Sequence, residues 1–207
     1  MKLHPTPKSR HATAPRPGGR SSLPAALLML ASCETQGFGA PTDVAFLSDG
    51  VVVVTDGYEN ARIAILDGVW VEREWGEHGC GKGELDVPHG VTIDEEDHIY
   101  VADRSNGRIQ IFDRQGQLLD VWQGPDYGRP WGLEYRDQRL YVVDGGDQDP
   151  EAPFGRVTVY DLEGSVLARF GDGDEPVVDG HDITVDAAGA VYVGSLSGRS
   201  LRKFVPR

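Results

Sequence analysis

The stretch Val87-Pro88-His89-Gly90-Val91-Thr92-Ile93, followed by Ile99-Tyr100-Val101-Ala102-Asp103-Arg104-Ser105-Asn106-Gly107-Arg108-Ile109-Gln110-Ile111-Phe112, decides the fold. It holds three short runs of β-branched and aromatic residues, divided by the turn-forming Glu95-Glu96-Asp97 and Ser105-Asn106-Gly107. Such runs, bounded by Gly, Asp and Asn, read as strands joined by tight turns. A further run follows and ends in Trp122-Gln123-Gly124. The unit is thus expected to be four antiparallel strands.

The same unit recurs. Pro41-Thr42-Asp43-Val44-Ala45-Phe46, Pro130-Trp131-Gly132-Leu133-Glu134-Tyr135 and Gly180-His181-Asp182-Ile183-Thr184-Val185 begin as Pro88-His89-Gly90 does. Each is followed by a turn, a β-rich run and an alternating strand that begins with Arg62, Arg156 or Leu201. The first three units end in an aromatic residue and glycine: Trp75-Gly76, Trp122-Gln123-Gly124 and Phe170-Gly171. Four strands in roughly 40–50 residues is the arithmetic of a propeller blade. A β-sandwich of short strands is the competing arrangement, but sandwiches lack a repeat this regular. The expected fold class is all-β, a propeller with four four-stranded blades over residues 41–207. Residues near Glu34 to Phe38 are placed to supply the outer strand that the last unit lacks.

Propeller geometry gathers equivalent positions at one mouth. The start of each innermost strand rims the channel, and the end of the next strand lies beside it. The first position carries Thr42, His89, Trp131 and His181, and the second carries Asp56-Gly57-Tyr58, Asp103-Arg104, Asp144-Gly145-Gly146-Asp147 and Ser195. Convergent polar groups in a concave place are the usual form of a ligand site. Imidazole is a common zinc ligand, so the shared register of His89 and His181 is read as a metal pair. Arg108 and Arg156 are expected to pair with blade carboxylates such as Asp103. Tyr100, Tyr141 and Tyr192 are read as packing residues, and Cys80 is assigned no chemistry.

Residues 1–40 differ in kind. They carry Lys2, Lys8, Arg10, Arg16 and Arg20, then an apolar run from Leu23 to Leu30, then Ala31-Ser32-Cys33. A basic stretch, an apolar core and small residues before a cut site describe an export signal on a disordered leader. Leu30-Ala31-Ser32-Cys33 resembles a bacterial lipobox, which implies cleavage before Cys33 and lipid attachment to its thiol. The expected location is then extracytoplasmic, in the periplasm or cell envelope, with membrane attachment by a lipid anchor only. The net charge of -13 excludes the basic face a nucleic-acid binder needs. Two cysteines exclude a disulfide-stapled scaffold.

Together with Asp56-Gly57-Tyr58-Glu59-Asn60-Ala61-Arg62-Ile63, the opening stretch is similar to NHL-repeat propellers. Among these it most resembles the peptidyl-α-hydroxyglycine α-amidating lyase (peptidylamidoglycolate lyase) family. The resemblance runs in register from about residue 41 to 207 and covers the last four blades of a six-bladed pattern. It implies a zinc held by histidines, a structural calcium, and cleavage of a C-terminal α-hydroxyglycine to an amide and glyoxylate. It further implies that His89 and His181 are zinc ligands, Asp182 a calcium ligand, Tyr58 the catalytic base and Arg104 an active-site arginine. The family's third histidine belongs to blades that would precede residue 41, and its frequent Met two residues before the last histidine is Asp179 here.

Two functions are therefore expected to compete. One is a zinc-dependent lyase on a small-molecule or peptide substrate. The other is a non-catalytic exported propeller that binds peptide or protein partners at the same mouth. A lactonase-like hydrolase shares the fold but uses carboxylate ligands, and the histidine pair argues against it. Self-association is expected to cover the open edges of a four-bladed arc.

Overall fold

The run Ile99-Tyr100-Val101-Ala102-Asp103 is buried at every residue, and so is Arg108-Ile109-Gln110-Ile111-Phe112. Strands covered on both faces need a neighbour on each side, which is the condition a propeller meets. The structure, a computed structural model, describes residues 37–124, 127–146, 155–172, 177–196 and 199–206. Cys33, the leader before residue 37 and Asp147 lie outside the described residues.

The first sheet is β1 (Asp43–Phe46), β2 (Val52–Asp56), β3 (Arg62–Asp67) and β4 (Trp70–Trp75). The second is β5 (Pro88–Ile93), β6 (Ile99–Asp103), β7 (Arg108–Phe112) and β8 (Leu118–Gln123). The third is β9 (Pro130–Tyr135), β10 (Leu140–Asp144), β11 (Arg156–Tyr160) and β12 (Val166–Phe170). The fourth is β13 (Gly180–Val185), β14 (Val191–Ser195) and β15 (Ser200–Phe204). Each is an antiparallel meander in chain order. The chain is therefore an all-β, four-bladed propeller. One expectation is corrected: among the described residues the fourth sheet has three strands, not four. Of the residues near Glu34 to Phe38 expected to complete it, residues 34–36 lie outside the described residues, and the Phe38 ring sits under the Arg62 guanidinium, 5.2 Å away.

The innermost strands β1, β5, β9 and β13 contact one another in succession. Three apolar clusters join adjacent sheets. Val53, Ile63, Ile65, Ile99 and Phe112 bind the first to the second. Ile109, Trp122, Leu133, Leu140 and Tyr160 bind the second to the third. Val143, Val157, Val177, Ile183 and Val193 bind the third to the fourth. Each large side chain so buried contributes about 1.5–3 kcal/mol, so the blades stabilise one another more than themselves. Val44 and Phe46 on β1 and Leu201 on β15 are more than half exposed.

A buried carboxylate closes each of the first two blades. Asp103 accepts from the Asp86 N–H (2.7 Å), Asn106 Nδ2 (2.9 Å), Arg108 Nε (2.6 Å) and Gln110 Nε2 (3.0 Å). Arg108 in turn donates to the carbonyls of Cys80, Gly81 and Glu84. Asp56 repeats this with the N–H groups of Gly39 and Ala40, Asn60 and Arg62. The expected pairing of Arg108 with Asp103 is thus present.

Further along the axis, Asp43, Glu134 and Asp182 influence one another. Burial, then the charges of Asp182 and Asp43, push Glu134 from 4.5 to about 7. Burial, reinforced by Asp182, pushes Asp43 from 3.8 to about 6.

Two outcomes follow from these carboxylates. Asp103→Ala strands the buried Arg108 charge, and breaking such a pair costs about 3–5 kcal/mol. Its urea midpoint should collapse, while Asp49→Ala, which breaks the exposed Arg114 pair, should leave the midpoint nearly unchanged. For Glu134 the folded pKa lies above the unfolded one, so its stabilising protonated form is complete below about pH 4 and lost as pH rises through 7. Glu134→Gln should melt with the parent at pH 4.5 and above it at pH 8, by about 2–4 °C. Equal melting at both pH values would remove the charge strain inferred here.

Candidate functional site

Each innermost strand after the first begins with a bulge. The ladder slips between Pro88 and Val91 in β5, between Gly180 and Asp182 in β13, and opposite Trp131 in β9. A bulge leaves residues unpaired and re-aims their side chains. His89, Trp131 and His181 are those residues, and their rings meet at the axis. The backbone just before two of them is turned sharply. Val87 and Asp179, each two residues ahead of a histidine, take the left-handed conformation at φ 52° and 48°. Val is a poor residue for that region, so the turn is held by its surroundings. Gly90 is needed for another reason: a Cβ there would stand 2.6 Å from the Trp131 carbonyl oxygen.

The ring of His181 lies edge-on to His89, with centroids 4.6 Å apart, and Trp131 is 5.0 Å from His89 and 5.2 Å from His181. His89 is 2% exposed. Its Nδ1 is 3.0 Å from the Trp131 carbonyl oxygen. That oxygen can only accept, so Nδ1 carries the proton and the Nε2 lone pair is left outward. Nε2 takes a hydrogen bond from the Tyr58 hydroxyl at 2.9 Å. Tyr58 itself is half exposed and sits in the loop after β2. The Arg104 guanidinium lies 3.6 Å above the Trp131 ring, a cation–π contact that holds it flat across the mouth. Burial, followed by the Arg104 charge, lowers the pKa of His181 against the opposing pull of Asp182. His181 therefore favours its neutral form.

All four residues expected to act at the mouth, Tyr58, His89, Arg104 and His181, thus form one cluster. Asp182 sits at the next position, where its Oδ1 accepts from the Ile183 N–H at 2.8 Å. Reading the sequence missed two contributions. Trp131 appeared only as the counterpart of the histidines, yet it orients His89 and carries Arg104. Thr55 donates to the His89 carbonyl at 2.9 Å, and Thr42 to the Pro88 carbonyl at 2.7 Å. The aligned Thr42 and Trp131 were visible in the repeat; Thr55 had no signal of its own.

Below the rings is a cavity of about 60 Å³, bounded by Thr42, Asp43, His89, Trp131, His181 and Asp182 among others. It has room for an ion or a water or two. Among the described residues no group of three or more His, Cys, Asp or Glu side chains is arranged to hold a metal ion. Zinc at a catalytic site takes three protein ligands, and the imidazole pair supplies two. Asp182 likewise belongs to no such group among the described residues, so calcium there would need further oxygen donors.

Residues 38–66 and 85–112 match the NHL repeat. The chain is 34% identical over 186 residues to the peptidylglycine alpha-amidating monooxygenase of Rattus norvegicus, covering 81% of this chain and 18% of that protein. It is 29% identical over 171 residues to a probable peptidyl-alpha-hydroxyglycine alpha-amidating lyase of Caenorhabditis elegans, covering 77% of this chain and 47% of that one. The chain thus spans about half or less of the length of these relatives. Among solved structures, a streptogramin B lyase superposes with a TM-score of 0.62 at 14% identity, covering 80% of this chain and 51% of that one. That likeness concerns the fold alone. The chain is accordingly an NHL-repeat β-propeller, homologous in sequence to the peptidylglycine α-amidating enzymes.

Proposed function

We propose that this chain carries the mouth of a carbon–nitrogen lyase that splits an α-hydroxyglycine into an amide and glyoxylate. The observation that supports it is the Tyr58–His89 hydrogen bond, with the tautomer of His89 set by Trp131. A phenol aimed at a neutral imidazole is a ready proton relay. As Tyr58 takes the substrate hydroxyl proton, its own proton passes to His89 Nε2. The carbon–oxygen bond becomes the carbonyl of glyoxylate, and the carbon–nitrogen bonding pair leaves on nitrogen. The proton returns from His89 through Tyr58 to that nitrogen, giving the amide, so atoms and charge balance. Arg104, held flat on Trp131, offers two N–H groups to the substrate carboxylate, the geometry that favours bidentate recognition.

No step here passes through a metal, because the donor set is one ligand short. Zinc at His89 and His181 would take the Nε2 lone pair that the relay uses, so it belongs to this reading as a separate, loaded state, and both it and calcium at Asp182 require a further donor. Self-association over the exposed Val44 and Phe46 of β1 belongs to the same reading. We also place the chain outside the cytoplasm, anchored by lipid on Cys33.

The test is glyoxylate release from an α-hydroxyhippurate-type substrate. Tyr58→Phe should lower kcat by about 10²–10⁴, and Arg104→Ala should act mainly by raising KM. Zinc should be removable by mild chelation and absent from a His89→Ala, His181→Ala chain. A parent chain that releases no glyoxylate, with or without added zinc, would overturn the lyase reading and leave the mouth as a binding site. Fractionation of expressing cells checks the anchor: the parent should sediment with membranes and Cys33→Ala should not.

A further inference from the structure

The β5 bulge is held from the sheet before it. Three backbone groups of that segment are bound by side chains of the first sheet. Thr42 Oγ1 donates to the Pro88 carbonyl at 2.7 Å, Thr55 Oγ1 donates to the His89 carbonyl at 2.9 Å, and the Val91 N–H donates to Asp43 Oδ2 at 2.9 Å. The two hydroxyl oxygens stand 3.0 Å apart. Gly57 adds a backbone contact: it lies so close to Pro88 that an added Cβ would collide with the Pro88 carbonyl oxygen. Tyr58 follows, and its hydroxyl meets the His89 ring. Residues 55–58 therefore touch this one histidine at its own carbonyl, at the carbonyl before it and at its ring.

The other bulges lack such a grip. In the repeat, the place of Thr55 is taken by Ala102 ahead of the β9 bulge and by Val143 ahead of the β13 bulge. The place of Asp43 is taken by Gly90 and Gly132. None of these four has a side chain that forms hydrogen bonds. The side-chain grip is thus confined to the histidine that Tyr58 reaches. Thr55 is fully buried, so it acts on the mouth only through that histidine.

We propose that Thr55, supported by Thr42 and Asp43, is a positioning residue for the mouth. It fixes the turn of the β5 bulge that aims His89 Nε2 at the Tyr58 hydroxyl and Nδ1 at the Trp131 carbonyl. A bulge disrupts the ladder, and buried backbone groups there must find other partners. The side chains that serve as those partners decide which way the peptide faces. Without the Thr55 hydroxyl the His89 carbonyl loses a donor, the peptide turns to satisfy it, and the ring turns with the peptide. The catalytic consequence rests on the lyase reading above; the pose of the ring does not.

The experiment reads the pose directly, by nitrogen NMR of the full 207-residue chain carrying isotope-labelled histidine and freed of metal by a chelator. The His89 signals are those lost in His89→Ala. The parent should show one His89 tautomer, with its proton on Nδ1. Thr55→Val should convert it to a mixture of two tautomers, and Thr55→Ser, which keeps the hydroxyl, should restore the single one. Thr42→Val removes the neighbouring bond and should shift His89 in the same direction, which decides the matter if Thr55→Val does not fold. Ile65→Ala takes apolar bulk from the same junction without touching these bonds, and should leave the tautomer as in the parent. In a chain that releases glyoxylate, Thr55→Val should lower kcat about 10–100-fold with KM nearly unchanged, since Arg104 is untouched, and Thr55→Ser should recover it. A parent that releases none removes the lyase reading and leaves the tautomer to decide this proposal. An unchanged His89 tautomer in both Thr55→Val and Thr42→Val overturns it, and so does the same mixture in Ile65→Ala.

Discussion

The buried carboxylate at the end of the second strand is the contact on which the rest of the blade depends. Asp103 ties three parts of the chain to one point: the segment arriving from the preceding blade at Asp86, the loop at Asn106, and the third strand at Arg108 and Gln110. Arg108 extends the grip to three carbonyls of the loop that precedes β5. Removing a single hydrogen bond from such a network leaves the others satisfied, but removing the carboxylate orphans a charge and several donors together. The latch also decides where β5 begins, and with it where His89 stands. Stability and the position of the functional ring thus share one residue.

The bulges convert this scaffold into a site. A regular ladder at Pro88–Ile93 would place His89 opposite a β6 residue within the sheet. The slip between Pro88 and Val91 frees it to point along the axis, and the same slip frees His181. Because the residue at the slip differs from blade to blade, one repeated irregularity presents histidine, tryptophan and histidine around a single mouth. The rings then fix each other. The Trp131 carbonyl sets the proton on His89, and the Trp131 face holds Arg104.

Much of this was legible in the sequence, for reasons the structure makes plain. Strand runs and turns repeat in a fixed order, so the four units align with His89, Trp131 and His181 in one register. Tyr58 and Arg104 follow from their place after the second strand. What the alignment could not carry was the role of an aligned residue that broke the pattern: Trp131 looked like an exception and is the organiser. The Thr55 hydroxyl, one of several threonines in β-rich runs, was silent for the same reason, since its contact crosses between blades. The expected outer strand of the fourth unit, near Glu34 to Phe38, falls mostly outside the described residues; Phe38 itself is held by Arg62, a local cation–π contact that the repeat pattern does not encode.

The latches and bulges hold the mouth through contacts made within and between neighbouring blades. Asp56 and Asp103 pin the ends of β2 and β6, the slips in β5, β9 and β13 turn three rings to the axis, and the apolar clusters keep adjacent sheets in step. A substitution at a latch therefore reaches the mouth through the strand it anchors, whereas one in an apolar cluster reaches it through the angle between two sheets. The first kind moves a single ring and the second moves rings relative to one another, because close-packed interiors transmit strain rather than absorb it.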